Sequence, residues 1–114
     1  MVRGELYLAN LDPIAGSEQG GTRPVLVVSR NALHTNAPIA IVVPIKSREN
    51  KRRLYPTHVE LRAGEGDLKK DSVVLCEKVR AVSKNRLTKR IGQIGPQALI
   101  AVDSALKIAL HLRG

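Results

Sequence analysis

Phenylalanine and tryptophan are absent from this chain, and tyrosine occurs only as Tyr7 and Tyr55. A core without large rings must be aliphatic, and the valine, isoleucine and leucine that dominate it favour strands over a helical bundle. The same lack removes the stacking platforms of an OB-type single-strand binder. Cysteine occurs once, as Cys76, which excludes an internal disulfide. Its apolar surroundings give it a packing role, and the expected setting is a reducing cytoplasm. His34, His58 and His111 are scattered, with no HxxxH or CxxC spacing, so neither a tight metal site nor any other cofactor is expected. Walker, GxGxxG and GxSxG signatures are missing. No signal-peptide core follows the first residues, and no apolar run approaches the roughly 20 residues that cross a bilayer. A soluble, cytoplasmic protein without a membrane partner is expected.

What the chain does have is positive charge. Nineteen Lys+Arg stand against ten Asp+Glu in 114 residues, giving +9 and a pI near 10.3. One domain, residues 1–114, is expected at this length. A basic domain of this size attracts polyanions, either nucleic acid or an acidic protein segment. The charge is clustered: Lys46, Arg48, Lys51, Arg52 and Arg53 stand against Glu49 alone, and six basic residues lie between Lys78 and Arg90 with no acid among them.

Periodicity assigns strands to residues 5–9, 24–29, 39–45, 57–61, 72–82 and 89–94. The run 31–38 reads as a turn-rich connection, and residues 47–55 as a basic loop. Pro44 should place the third strand at a sheet edge or end it in a bulge. Residues 83–86 suit a helical turn. From Pro96 the period changes, with Leu99, Val102, Leu106 and Leu110 on one stripe of an amphipathic helix that opens on a favourable first-turn proline. Five or six short strands closed by one helix make a mainly β (α+β) fold, a small, strongly curved antiparallel sheet or barrel.

Two features carry chemistry. The glycine-rich loop Gly16-Ser17-Glu18-Gln19-Gly20-Gly21-Thr22-Arg23-Pro24 delivers one arginine to the mouth of an apolar strand. Its planar fork of donors suits a phosphate; a solvated hairpin is the plain alternative. On the longest strand, counting by twos sets Glu77 in a row with Val73, Leu75, Val79 and Ala81. Burial there would raise its pKa towards the range useful for proton transfer, unless an arginine pairs with it. Lys78 and Arg80 would share the other face with Cys76 and contact phosphates. An arginine, a carboxylate, hydroxyls and a basic surface suffice for cleavage of RNA by its own 2′-hydroxyl, which needs a base, an acid and a cation at the phosphorus.

These residues carry a family likeness. The chain resembles the MazF/PemK family of toxin endoribonucleases through Arg3-Gly4-Glu5-Leu6-Tyr7, Leu11-Asp12-Pro13, the loop 16–24 with Val25-Leu26-Val27, Tyr55-Pro56-Thr57-His58-Val59, the run 70–80 and Ser83-Lys84-Asn85-Arg86-Leu87. The resemblance implies an SH3-like, PemK-type antiparallel barrel of five to seven strands with a C-terminal helix. It also implies a homodimer that cuts single-stranded RNA without a metal, leaving a 2′,3′-cyclic phosphate and a 5′-hydroxyl. The partner it implies is a MazE-type antitoxin with an acidic tail, the toxin binding DNA in complex with it. Arg23 matches the catalytic arginine, and Ser17 and Gln19 match the loop lining the RNA groove, with Glu18 and Thr22 beside them. Glu77 matches an acidic position that serves as base or positions one. Thr57 and His58 become candidate RNA contacts, His58 having an exposed-strand reading as its alternative.

The chain departs from the family at Pro44-Ile45-Lys46-Ser47, where members often carry Pro-Leu-Thr-Ser with the threonine at the reacting phosphate. Three readings stand at that point: Lys46 is the phosphate ligand, Ser47 substitutes as the catalytic hydroxyl, or cleavage is weak and the chain is an RNA-binding module. A CcdB-like gyrase poison is a further alternative, disfavoured by a C-terminus without aromatic anchors. Base choice would reside in loops such as 48–54.

Overall fold

The computed structural model describes residues 1–11, 21–49 and 53–113. Seven strands and two α-helices follow in chain order: β1 (Glu5–Asn10), β2 (Thr22–Val27), α1 (Asn31–Asn36), β3 (Ile39–Ser47), β4 (His58–Leu61), β5 (Ser72–Leu75), β6 (Arg80–Ser83), β7 (Leu87–Gln93) and α2 (Pro96–Leu110). Short 3-10 turns occupy Glu65–Asp67, Cys76–Lys78 and Lys84–Arg86. The fold is mainly antiparallel β with a C-terminal helix, as expected.

All the ladders are antiparallel, in the order β4-β5-β3-β2-β1-β7, with β6 also paired to β3. Among the described residues no ladder joins β4 to β7. The sheet therefore curls strongly, as expected, and stays open among the described residues. At the two ends packing takes over from hydrogen bonds, with α2 against β4 and the 65–67 turn against β7.

Alternation along the strands divides the apolar residues between two faces. Leu6, Leu26, Val43, Ile45, Val59, Leu61 and Val74 point to the side covered by α2, where Val102 and Ala105 complete the larger cluster. Ala9, Val25, Val27, Ala40, Val42 and Val82 make a second cluster on the other side. Of the helix stripe, Val102 is fully buried and Leu99 and Leu106 pack at the margin, whereas Leu110 is exposed. The helix ends on His111, whose left-handed backbone lets its N–H and that of Leu112 reach the last carbonyls.

Two strand expectations need correction. The run 72–82 is broken at Cys76–Lys78 into β5 and β6, because β3, nine residues long, takes two successive partners: Ile39–Val42 pair with β6 and Ile45–Ser47 with β5. For the same reason β3 is not an edge strand. Pro44 stands where β3 changes partners, so its missing N–H costs no rung on that side. The 31–36 segment, read as a connection, forms a short helix.

Candidate active site

Arg23 enters β2 one residue before Pro24, opposite Ala9 of β1. Alternation puts its side chain on the face of Val25 and Val27, away from α2. The β2–β3 ladder ends at Val25–Pro44. Two residues further along each strand stand Arg23 and Lys46, on the same face. Neither side chain has a hydrogen bond or ion pair among the described residues. Lys46 is exposed and Arg23 half-buried. Ser47, one residue on, turns to the opposite face, opposite Ser72. Arg80 pairs with Val42 and so adds a third cation to the face of Arg23. Lys78 lies in the 3-10 turn, exposed.

A second group forms where β4 begins. Thr57 Oγ1 donates to Glu77 Oε1 at 3.0 Å, and His58 Nε2 lies 3.2 Å from Glu77 Oε2. The Tyr55 backbone N–H donates to His58 Nδ1 at 3.3 Å. The neutral imidazole therefore carries its proton on Nε2 and gives it to the carboxylate. The Tyr55 ring stands edge-on to His58, centroids 5.3 Å apart. Burial pushes the Glu77 pKa up, but hydrogen bonds from its own backbone N–H, Thr57 and His58 outweigh that and leave it below the ordinary carboxylate range. The expected upward shift is thus corrected. Glu77 sits on an exposed turn, not in an apolar strand row. Cys76 beside it is fully buried, and burial followed by the Glu77 charge pushes its thiol up to about 11, which leaves it a packing residue.

Between β3 and β4 lies a cavity of about 350 Å³ lined by Lys46, Arg53, Leu54, Tyr55, His58 and Val73, among others. Lys46 thus belongs both to this cavity and to the face of Arg23, while Glu77 approaches it through His58. Arg48, on the same lining, is neutralised by Glu60 at 3.2 Å. No three His, Cys, Asp or Glu side chains among the described residues are grouped to hold a metal ion.

The family profile described as PemK-like, MazF-like toxin of type II toxin-antitoxin system matches residues 2–110. The chain belongs to that family. It is 44% identical to Endoribonuclease EndoA of Bacillus subtilis (strain 168) over 110 residues, covering 96% of this chain and 94% of the relative. It is 41% identical to Endoribonuclease MazF of Staphylococcus saprophyticus over 112 residues, 98% and 92% of the two chains. Its fold superposes on a crystal structure of MazE-MazF from Deinococcus radiodurans with a TM-score of 0.79 and 28% identity, over 99% and 98% of the two chains.

As a PemK/MazF-type chain it brings together only part of what its sequence suggested. Ser17, Glu18 and Gln19 lie outside the described residues. Thr22 is exposed at the start of β2, opposite Asn10, and alternation turns it from the Arg23 face. Lys46, Ser47 and His58 line one cavity, and Thr57 and His58 share Glu77. By alternation Lys46 shares a face with Arg23, whereas Ser47 turns to the other side. Sequence reasoning gave Tyr55 no role of its own, although a ring in a chain with so few, three residues before a histidine, was a usable signal. No described helix is long and apolar enough to cross a membrane.

Proposed function

We propose that this chain is a cytoplasmic toxin endoribonuclease, a single domain that cleaves single-stranded RNA at short sequences without a metal ion. The observation that carries this reading is the pair Arg23 and Lys46, two cations without side-chain partners among the described residues, on one face of the sheet two residues beyond the last β2–β3 rung. Family membership and the endoribonuclease names of its relatives support it.

In this reading the 2′-hydroxyl attacks the adjacent phosphorus in line, the 5′-oxygen leaves, and a 2′,3′-cyclic phosphate and a 5′-hydroxyl result. Arg23 neutralises the five-coordinate phosphate with its fork of donors. Lys46 supplies a compact second charge in place of the family's threonine. Glu77, ionised at neutral pH, positions Thr57 and His58 for the ribose and base. Arg80 and Lys78 hold flanking phosphates, which adds affinity without sequence choice. The active assembly is a homodimer, and its inhibitor is a MazE-type antitoxin whose acidic segment matches the +9 surface.

Incubating the pure protein with a long single-stranded RNA in EDTA tests the proposal. Discrete cuts ending in cyclic phosphate, lost in Arg23→Ala, are expected. Intact RNA with a retarded mobility would replace the nuclease by a binding module.

A further inference from the structure

We propose that the β3–β4 cavity is a nucleotide subsite in which one base of the single-stranded substrate stacks on the Tyr55 ring. The inference rests on the RNA reading above and assigns the residue that recognises substrate beside the scissile phosphate. Four observations meet there. The cavity, about 350 Å³, is at the small end of ligand pockets and holds one nucleotide rather than several. Tyr55 is 63% exposed, and its edge-on contact with His58 fixes the ring while leaving most of it open. An aromatic ring held out to solvent serves stacking on any base, because every base offers a π-face. Leu54 and Val73 supply apolar lining for the rest of the base.

The charges fit a nucleotide as well. Lys46 and Arg53 line the cavity without an ion pair among the described residues, whereas Arg48 is held by Glu60. Two available cations suit the phosphates on either side of a stacked base. Glu49, on the same lining, repels phosphate and accepts N–H groups, so the base edge and not the backbone belongs beside it. Since Lys46 also shares the face of Arg23, a nucleotide in this cavity leads towards the phosphate to be cut. Tyr55 thereby contributes to site choice, which Arg23, a phosphate ligand, does not.

The test uses the full chain and four homopolymeric 2′-O-methyl octanucleotides, which cannot be cleaved by 2′-hydroxyl attack. Ring resonances of Tyr55 and His58 are followed during titration, with Tyr7 as internal reference. An upfield shift of Tyr55 with at least one octamer is expected. Binding of that octamer should weaken about tenfold or more in Tyr55→Leu, the lower range for loss of one stacked base, and stay near wild type in Tyr55→Phe. An unmoved Tyr55 ring, or a Tyr55→Leu variant that binds as tightly as wild type, would overturn the subsite. So would an octaglutamate peptide that shifts the ring when no oligonucleotide does, because the cavity would then receive an acidic protein segment. Failure of the broader reading looks different: long RNA left intact by the wild type overturns the nuclease, whereas cut RNA with an unmoved ring overturns only the subsite.

Discussion

Arg23 of β2 and Lys46 of β3 each stand two residues beyond the last rung of their shared ladder, on one face of the sheet. Two like charges so placed repel each other until an anion lies between them. Both then act on the same phosphate, so their removals should not add. Arg23→Ala is expected to lower kcat/KM by roughly 100- to 1000-fold, the scale for one transition-state charge donor, and Lys46→Ala by about tenfold. The double variant should lose less than the product of the two. Cleavage kinetics on one oligonucleotide, with far-ultraviolet circular dichroism as a check of folding, measure all three. Independent losses would place the two cations on different phosphates.

The same face governs how binding responds to salt. Arg23, Lys46 and Arg80 project from it, and each phosphate neutralised on a single strand contributes about −0.7 to the slope of log K against log[salt]. Arg80→Ala, at the margin, should reduce the slope by about that amount and weaken binding of different sequences alike. Tyr55→Leu should weaken binding without changing the slope. Affinities for an uncleavable oligonucleotide at several salt concentrations separate the two effects.

Glu77 makes a pH-dependent contribution of known sign. Its folded pKa is lowered despite burial, through its backbone N–H, Thr57 and His58. Its stabilising contribution is therefore full above the unfolded carboxylate pKa and fades as pH falls through the lower folded value. The carboxylate side chain is 40% exposed, so solvent screening keeps the effect small. Wild type should melt slightly above Glu77→Gln at neutral pH, and the two should converge in acid below the ordinary carboxylate range. A melting-temperature difference that persists or grows below that range would remove the hydrogen-bonded carboxylate as its source.

Much of this was legible in the sequence, and what was not has a physical reason. The aliphatic strands, the C-terminal helix and the placement of Arg23 at the start of a strand followed from periodicity and from Pro24. Glu77 was misjudged because Ser72–Leu75 is buried on both faces, so no alternation signals where the strand stops. The break comes from β3 changing partners, a non-local fact. Pro44 misled in the same way, since a proline tolerated between two partner strands looks locally like one at an edge. That Lys46 rather than Ser47 faces Arg23 depends on the register between β2 and β3, which neither strand encodes alone.

Where the sheet fails to close, a glycine holds its edge. Gly92 of β7 lies so near the 65–67 turn that a Cβ there would run into the Gly66 carbonyl, and Gly66 itself adopts a left-handed backbone with φ +59°. A backbone oxygen cannot rotate away as a side chain can, so Gly92→Ala must push the turn off β7. Overpacking of this kind costs roughly 1–3 kcal/mol, expected as a lower urea midpoint with an unchanged m-value. The turn packs against β7, and Gly92 pairs with Leu6 of β1, whereas Arg23 and Lys46 are set by the β2–β3 ladder. Cleavage at temperatures where the variant remains folded should therefore match wild type. A large fall in kcat/KM without unfolding would mean that the open edge of the sheet is coupled to the phosphate site.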